Sequence, residues 1–122
     1  MDLAQFNAFC EYLPHSTYVV QWGGSHVWKI GGKVYVIAGG DAEGRLARAS
    51  FKVSRMGFDI LKEQPGLQGA PHLASRGMSW IQRTTDETMS DEELLSYIRD
   101  SYMIVSRGLT KKLQCELGLL KT

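Results

Sequence analysis

No run of apolar residues in the 122-residue chain approaches the roughly 18 needed to cross a bilayer, which excludes a helical membrane span. Cysteine is nearly missing too. Cys10 and Cys115 stand alone, with no second cysteine or histidine at the Cys-x-x-Cys or His-x-x-x-His spacing of a zinc site. Each falls in an apolar helical pattern, where a free thiol behaves as a small hydrophobe, so both are expected to be buried structural residues. The N-terminal MDLAQF has no basic region followed by an apolar run, so no signal peptide is expected and a reducing cytoplasm is the natural compartment. Histidine is scarce: His15, His26 and His72 are the only three, and none sits in a metal-type or nucleophile-type motif. Ser25 and His26 are neighbours on a strand-like run, so their side chains point to opposite faces and cannot pair directly. The acids of SDEE at 90–93 are explained by helix capping. The expectation is a protein with no cofactor and no metal, and not an enzyme.

What is present fits one ordinary domain. The length lies within the roughly 100–200 residues usual for one domain, and with 43% hydrophobic and 22% charged residues the chain can bury a core unaided. Net charge is only +1, but its distribution is uneven. Nine Lys/Arg face four acids between His15 and Arg83, whereas six acids face Arg99 alone between Thr84 and Ser101. A basic middle beside an acidic helix suits an anionic partner on one face, although two solvated faces would read the same way.

Periodicity supplies the elements. Leu3, Phe6, Phe9 and Cys10 recur at helical spacing over residues 2–12, with Asp2 as cap and Pro14 forcing an end at Leu13. STYVVQW, HVWKI, KVYVIA, RASFKV and MSWIQR read as strands. In KVYVIA, Val34, Val36 and Ala38 are expected on one face. SRMGFDILKEQ reads as a helix capped by Ser54 that buries Met56, Ile60 and Leu61, and GLQGAPHLASRG as an irregular loop. Ser90 and Glu93 form a capping box ahead of a long helix with Leu95, Ile98, Tyr102, Val105 and Leu109 on one stripe. Gly108 and Thr110 break it, and KKLQCELGLL forms a terminal helix. The fold class is α+β: one domain over 1–122, an antiparallel sheet with β-hairpins, flanked by N- and C-terminal helices.

Residues 22–40, WGGSHVWKIGGKVYVIAGG, hold three Gly-Gly pairs and raise the question of a phosphate cradle. The spacing answers it. A phosphate loop needs a glycine five positions before Gly-Lys, and Val27 stands there before Gly32-Lys33. A strand follows, so no helix N-terminus would face the anion, and no G-x-G-x-x-G run exists. Gly31-Gly32 instead matches a two-residue hairpin turn. Trp22, Trp28 and Tyr35 interleave with Lys29 and Lys33, a pattern that can serve phosphates and bases, while Trp28 and Trp80 are the natural anchors of a small core.

The succession Leu13-Pro14, Trp22-Gly23, HVWKIGGKVYV, Ser50-Phe51-Lys52, GAPHL, SWI and Ser101-Tyr102 resembles the MmcQ/YjbR family from about residue 4 to 112. The resemblance implies a CyaY-like fold whose hairpins project as two wings, an arrangement described as DNA-binding. By position it places Lys29 and Lys33 at the first wing tip and Lys52 on the second wing, with His72 where tyrosine is commoner. The reading is a bacterial, cytoplasmic, non-enzymatic DNA-binding module that contacts duplex phosphates through Lys29, Lys33, Arg45, Arg48, Lys52 and Arg55. One alternative is a protein-interaction domain with Tyr18, Trp22 or Tyr35 as anchors. The other is a small-molecule pocket of His26, His72, Trp80 and Tyr102.

Overall fold

Asp2 opens the first helix, α1 (Leu3–Tyr12), by accepting the Gln5 N–H while Gln5 reaches back to the Asp2 amide. Leu13, extended before Pro14, closes it as the sequence requires. The chain then builds β1 (Ser16–Gln21), β2 (Ser25–Ile30), β3 (Lys33–Gly40), β4 (Leu46–Lys52), α2 (Arg55–Leu61), β5 (Leu67–Gly69) and β6 (Trp80–Arg83). It ends in α3 (Asp91–Arg107) and α4 (Lys111–Glu116). This computed structural model describes residues 1–119; Leu120, the last residue of the expected terminal helix, lies outside them. All five strand pairings are antiparallel, in the order β1-β2-β3-β4-β6-β5. The fold is α+β, with one six-stranded sheet and helices at both ends.

The core lies between one face of this sheet and helices α1 and α3. Trp28, Val36, Phe51 and Ile81 stand in register across four strands on that face. They meet Phe6 and Cys10 of α1 and Leu94, Ile98 and Tyr102 of α3 in a single buried cluster. Each large apolar side chain buried there contributes ~1.5–3 kcal/mol. Burial pushes the Cys10 thiol up to about 12, consistent with an unreactive core residue, whereas Cys115 is only half-buried.

Four details differ from the periodicity. Tyr35 is a bulge residue: the β2–β3 register slips between Trp28 and Lys29, so Val34 pairs with Lys29 and leaves the face that Val36 and Ala38 share. Helix α2 buries Phe58 and leaves Met56 and Ile60 exposed, because a seven-residue helix at the sheet margin turns its aromatic inward. Helix α3 buries Leu94, Ile98, Ser101 and Tyr102, so its core stripe is shifted from Leu95 toward Leu94. The supposed loop 66–77 contains β5, whose three residues are too few to show alternation, and a 3-10 turn over Ala74–Arg76. Among the described residues no helix is long and apolar enough to cross a membrane.

One buried-edge ion pair ties α3 to the sheet: Arg83 Nη2 donates to Asp91 Oδ1 at 2.8 Å. That hydrogen bond, above all, holds the Asp91 carboxyl below its usual range. Its folded pKa is depressed, so the stabilisation is complete above about pH 4, where the unfolded carboxyl has already ionised. It is lost as pH falls through the folded pKa. Thermal melts of wild type and Asp91→Asn from neutral to acidic pH should show the wild type losing its advantage below about pH 4. A constant difference at all pH values would remove the ion pair from the account.

Candidate functional site

The face of the sheet turned away from the core carries the remaining chemistry. Strand register places Val27, Ile37, Ser50, Gln82 and Gln68 in one row on it. Gln68 Nε2 donates to Gln82 Oε1 at 2.7 Å, and Gln82 Nε2 donates to Ser50 Oγ at 3.3 Å, which makes a polar ladder across three strands. Lys29, Arg48 and Lys52 lie on the same face by two-residue alternation. Arg48 lies flat over Gly39: a Cβ there would meet its guanidinium carbon at 2.4 Å, so the missing side chain gives the cation its bed.

At one end the face deepens into a cleft of about 430 Å³. Its floor is Val34, Ile37 and Trp80; Trp22, Leu73, Met78 and Ile104 wall it, and Lys33 and Lys52 stand in its lining. The cleft exists because the sheet splits there. The β3–β4 ladder runs from Gly40 only as far as Val36–Phe51. Beyond that point the fully buried Ser101 of α3 enters between the strands, accepting from the Lys52 N–H at 2.9 Å and donating to the Tyr35 carbonyl at 2.6 Å. Strand β4 continues with β6, pairing Lys52 with Trp80, and the end of α3 brings Ile104, Val105 and Gly108 into the gap.

Two aromatic residues of the cleft have unusual settings. Trp22 is 62% exposed and holds a left-handed backbone (φ 52°), a conformation that costs a non-glycine residue energy and recurs at binding sites. Trp80 is 4% exposed, yet among the described residues its indole N–H has no hydrogen-bond partner. Trp28, by contrast, donates to Asn7 Oδ1 at 3.0 Å within the core.

The residues singled out in the sequence fall into separate places. Lys29, Arg48 and Lys52 share the outer face, and Lys33 stands at the cleft. Arg45 lies in the β3–β4 turn, 3.9 Å from Glu43. Arg55 covers the Phe58 ring and donates to the Gly77 carbonyl at 3.2 Å. His26 bonds and stacks with Tyr18, Nδ1 to Oη at 2.6 Å. His72 is exposed in a loop with φ 68°. The Tyr102 hydroxyl donates to the Pro14 carbonyl at 2.6 Å on the core side. Of the four residues considered for a pocket, the cleft is lined by Trp80 alone. Two turns are held against the helices: Gly31 packs against Leu109 and Leu113, and the β3–β4 turn is pinned to Met1 and Leu3 by main-chain bonds. Leu73, Met78 and Ile104 escaped notice because in a loop, just before a strand and in a helix each looks like ordinary apolar filling.

A family model described as YjbR matches residues 12–104. The chain belongs to the YjbR family. Its fold is similar to that of the Deinococcus radiodurans protein DR2400, described as a DUF419 domain. That likeness has a TM-score of 0.81 and 26% identity, over 98% of this chain and 89% of that one. A Pseudomonas syringae protein shares the fold at a TM-score of 0.65 and 19% identity, over 85% of this YjbR chain and 98% of its own. No curated protein matches the chain.

Proposed function

We propose that this YjbR protein is a non-enzymatic nucleic-acid-binding module that holds phosphates on the outer face of its sheet. One observation carries the reading: the six strands contain Lys29, Lys33, Arg48, Lys52 and Arg83, and no Asp or Glu. A near-neutral chain has thus kept all its acids off the sheet, which leaves the outer face positive. The Gln68–Gln82–Ser50 ladder adds neutral groups of the kind that bond phosphate and sugar oxygens. Trp22, exposed beside the cleft, offers a ring on which a base can stack. Arg45 sits in the β3–β4 turn beside Glu43 and Arg55 is engaged with Phe58 and the Gly77 carbonyl, so both contribute less than the four residues around the face and cleft.

Binding to a short DNA duplex and to the corresponding single strand, followed by fluorescence anisotropy over a range of salt, tests the proposal. Log affinity should fall with log salt by ~0.9 per duplex phosphate contacted. Combined Lys29→Ala, Arg48→Ala and Lys52→Ala should lower that slope by about three, whereas Arg45→Ala should leave it nearly unchanged. No binding at low salt, or a slope indifferent to the triple replacement, sinks the idea.

A further inference from the structure

We infer that β1 is the docking edge for a second copy of this chain, forming a twofold dimer through antiparallel β1–β1 pairing. Strand β1 ends the sheet, and its outward backbone groups pair with no strand among the described residues. Natural edge strands are shielded by charge, proline, bulges or shortness. The opposite edge, β5, has only three residues. Strand β1 has six, STYVVQ, with no charge, proline or bulge. Residues 12–28 contain no Lys, Arg, Asp or Glu at all.

Exposed apolar side chains are frequent on the same strand. Tyr18, Val19 and Val20 are 45, 37 and 51% exposed, and Trp22, 62% exposed, follows them in the turn. Exposed apolar side chains gathered on one strand suit association.

The strand is also complementary to itself. Opposed residues of an antiparallel pair share a sheet face, so a twofold axis perpendicular to the sheet must pass through a residue. An axis at Val19 sets Val19 against Val19, Tyr18 against Val20, and Thr17 against Gln21. Those are apolar, aromatic with β-branched, and polar pairs respectively, all favourable across strands. A charged partner edge would find nothing here to answer it, which is why the same strand is the fitting occupant. The same axis puts both basic faces on one side, but the pairing itself uses only the free edge and stands whether or not nucleic acid binds.

Sedimentation equilibrium over a wide dilution series, without nucleic acid, is the test. Wild type should move reversibly from the 13.6 kDa monomer toward twice that mass as concentration rises. Val19→Lys, which puts like charges together on the axis, should stay monomeric. Register is checked with two double variants at Thr17, which is exposed, and Gln21, which is half-buried. Thr17→Lys with Gln21→Lys opposes like charges and should weaken association about tenfold or more, whereas Thr17→Lys with Gln21→Glu opposes unlike charges and should keep it. The two residues are four apart on one strand, so both variants should fold alike, as circular dichroism will report. A wild type that is monomeric throughout overturns the proposal, as do two double variants that associate equally.

Discussion

Replacing Ser101 by alanine is expected to destabilise the protein by about 2–4 kcal/mol, far more than a surface serine would. The side chain is small and fully buried, and its hydroxyl links two separated strands at their point of divergence. Removing it strands the Lys52 N–H and the Tyr35 carbonyl together, and each unsatisfied buried group costs ~1–3 kcal/mol. Urea unfolding of Ser101→Ala measures the loss, and hydrogen exchange locates it: the Lys52 amide should exchange faster while amides around Ala38 keep their protection. The substitution also loosens the backbone that presents Lys52 to the cleft, so under the proposed function nucleic-acid affinity should drop with stability. A change below about 0.5 kcal/mol, the range of a neutral surface substitution, would show that the strands close without the hydroxyl.

The second large effect concerns the two buried tryptophans. Trp28 and Trp80 are equally buried, at 4% exposure each, and either truncated to alanine should cost ~3–5 kcal/mol. Phenylalanine separates them. At position 28 it removes a hydrogen bond and leaves Asn7 Oδ1 without its donor. At position 80 it removes an N–H that has no partner, which offsets part of the lost packing. Trp28→Phe should therefore be more destabilising than Trp80→Phe by about 1–2 kcal/mol. Equal losses would mean that the Trp80 N–H is satisfied, and Trp80 could no longer be treated as an anchor that tolerates a missing bond. Trp80→Ala should in addition open the cleft floor and, under the proposed function, reduce nucleic-acid affinity through Lys52, its partner on the neighbouring strand.

Much of the fold was legible in the chain. The Asp2, Ser54 and Ser90 caps each sit where the sequence puts them, because capping is decided by the residue itself and the next three amides. The Gly31-Gly32 turn has positive φ at both glycines, as its dipeptide requires. The site was legible only in part. Lys29, Lys33 and Lys52 could be picked out as basic residues on strands, but Arg45 and Arg55 could not be told from them by type. Their different settings come from Glu43, Phe58 and the Gly77 carbonyl. Strand β5 was hidden because three residues carry no period, and the Tyr35 bulge because one inserted residue leaves both flanking patterns intact.

The sequence by itself determined the α+β class, the helix starts, the first hairpin turn and the failure of the glycine-rich stretch to be a phosphate loop, since each depends on neighbours within a few residues. Tertiary structure alone decided that Gly31 and the β3–β4 turn are held down, that Lys29, Arg48 and Lys52 share a face, and that the sheet splits to make a cleft. The physical reason is one of range. Ser101 meets Tyr35 across 66 positions and Lys52 across 49, and no local pattern records which strands a single buried hydroxyl will hold apart.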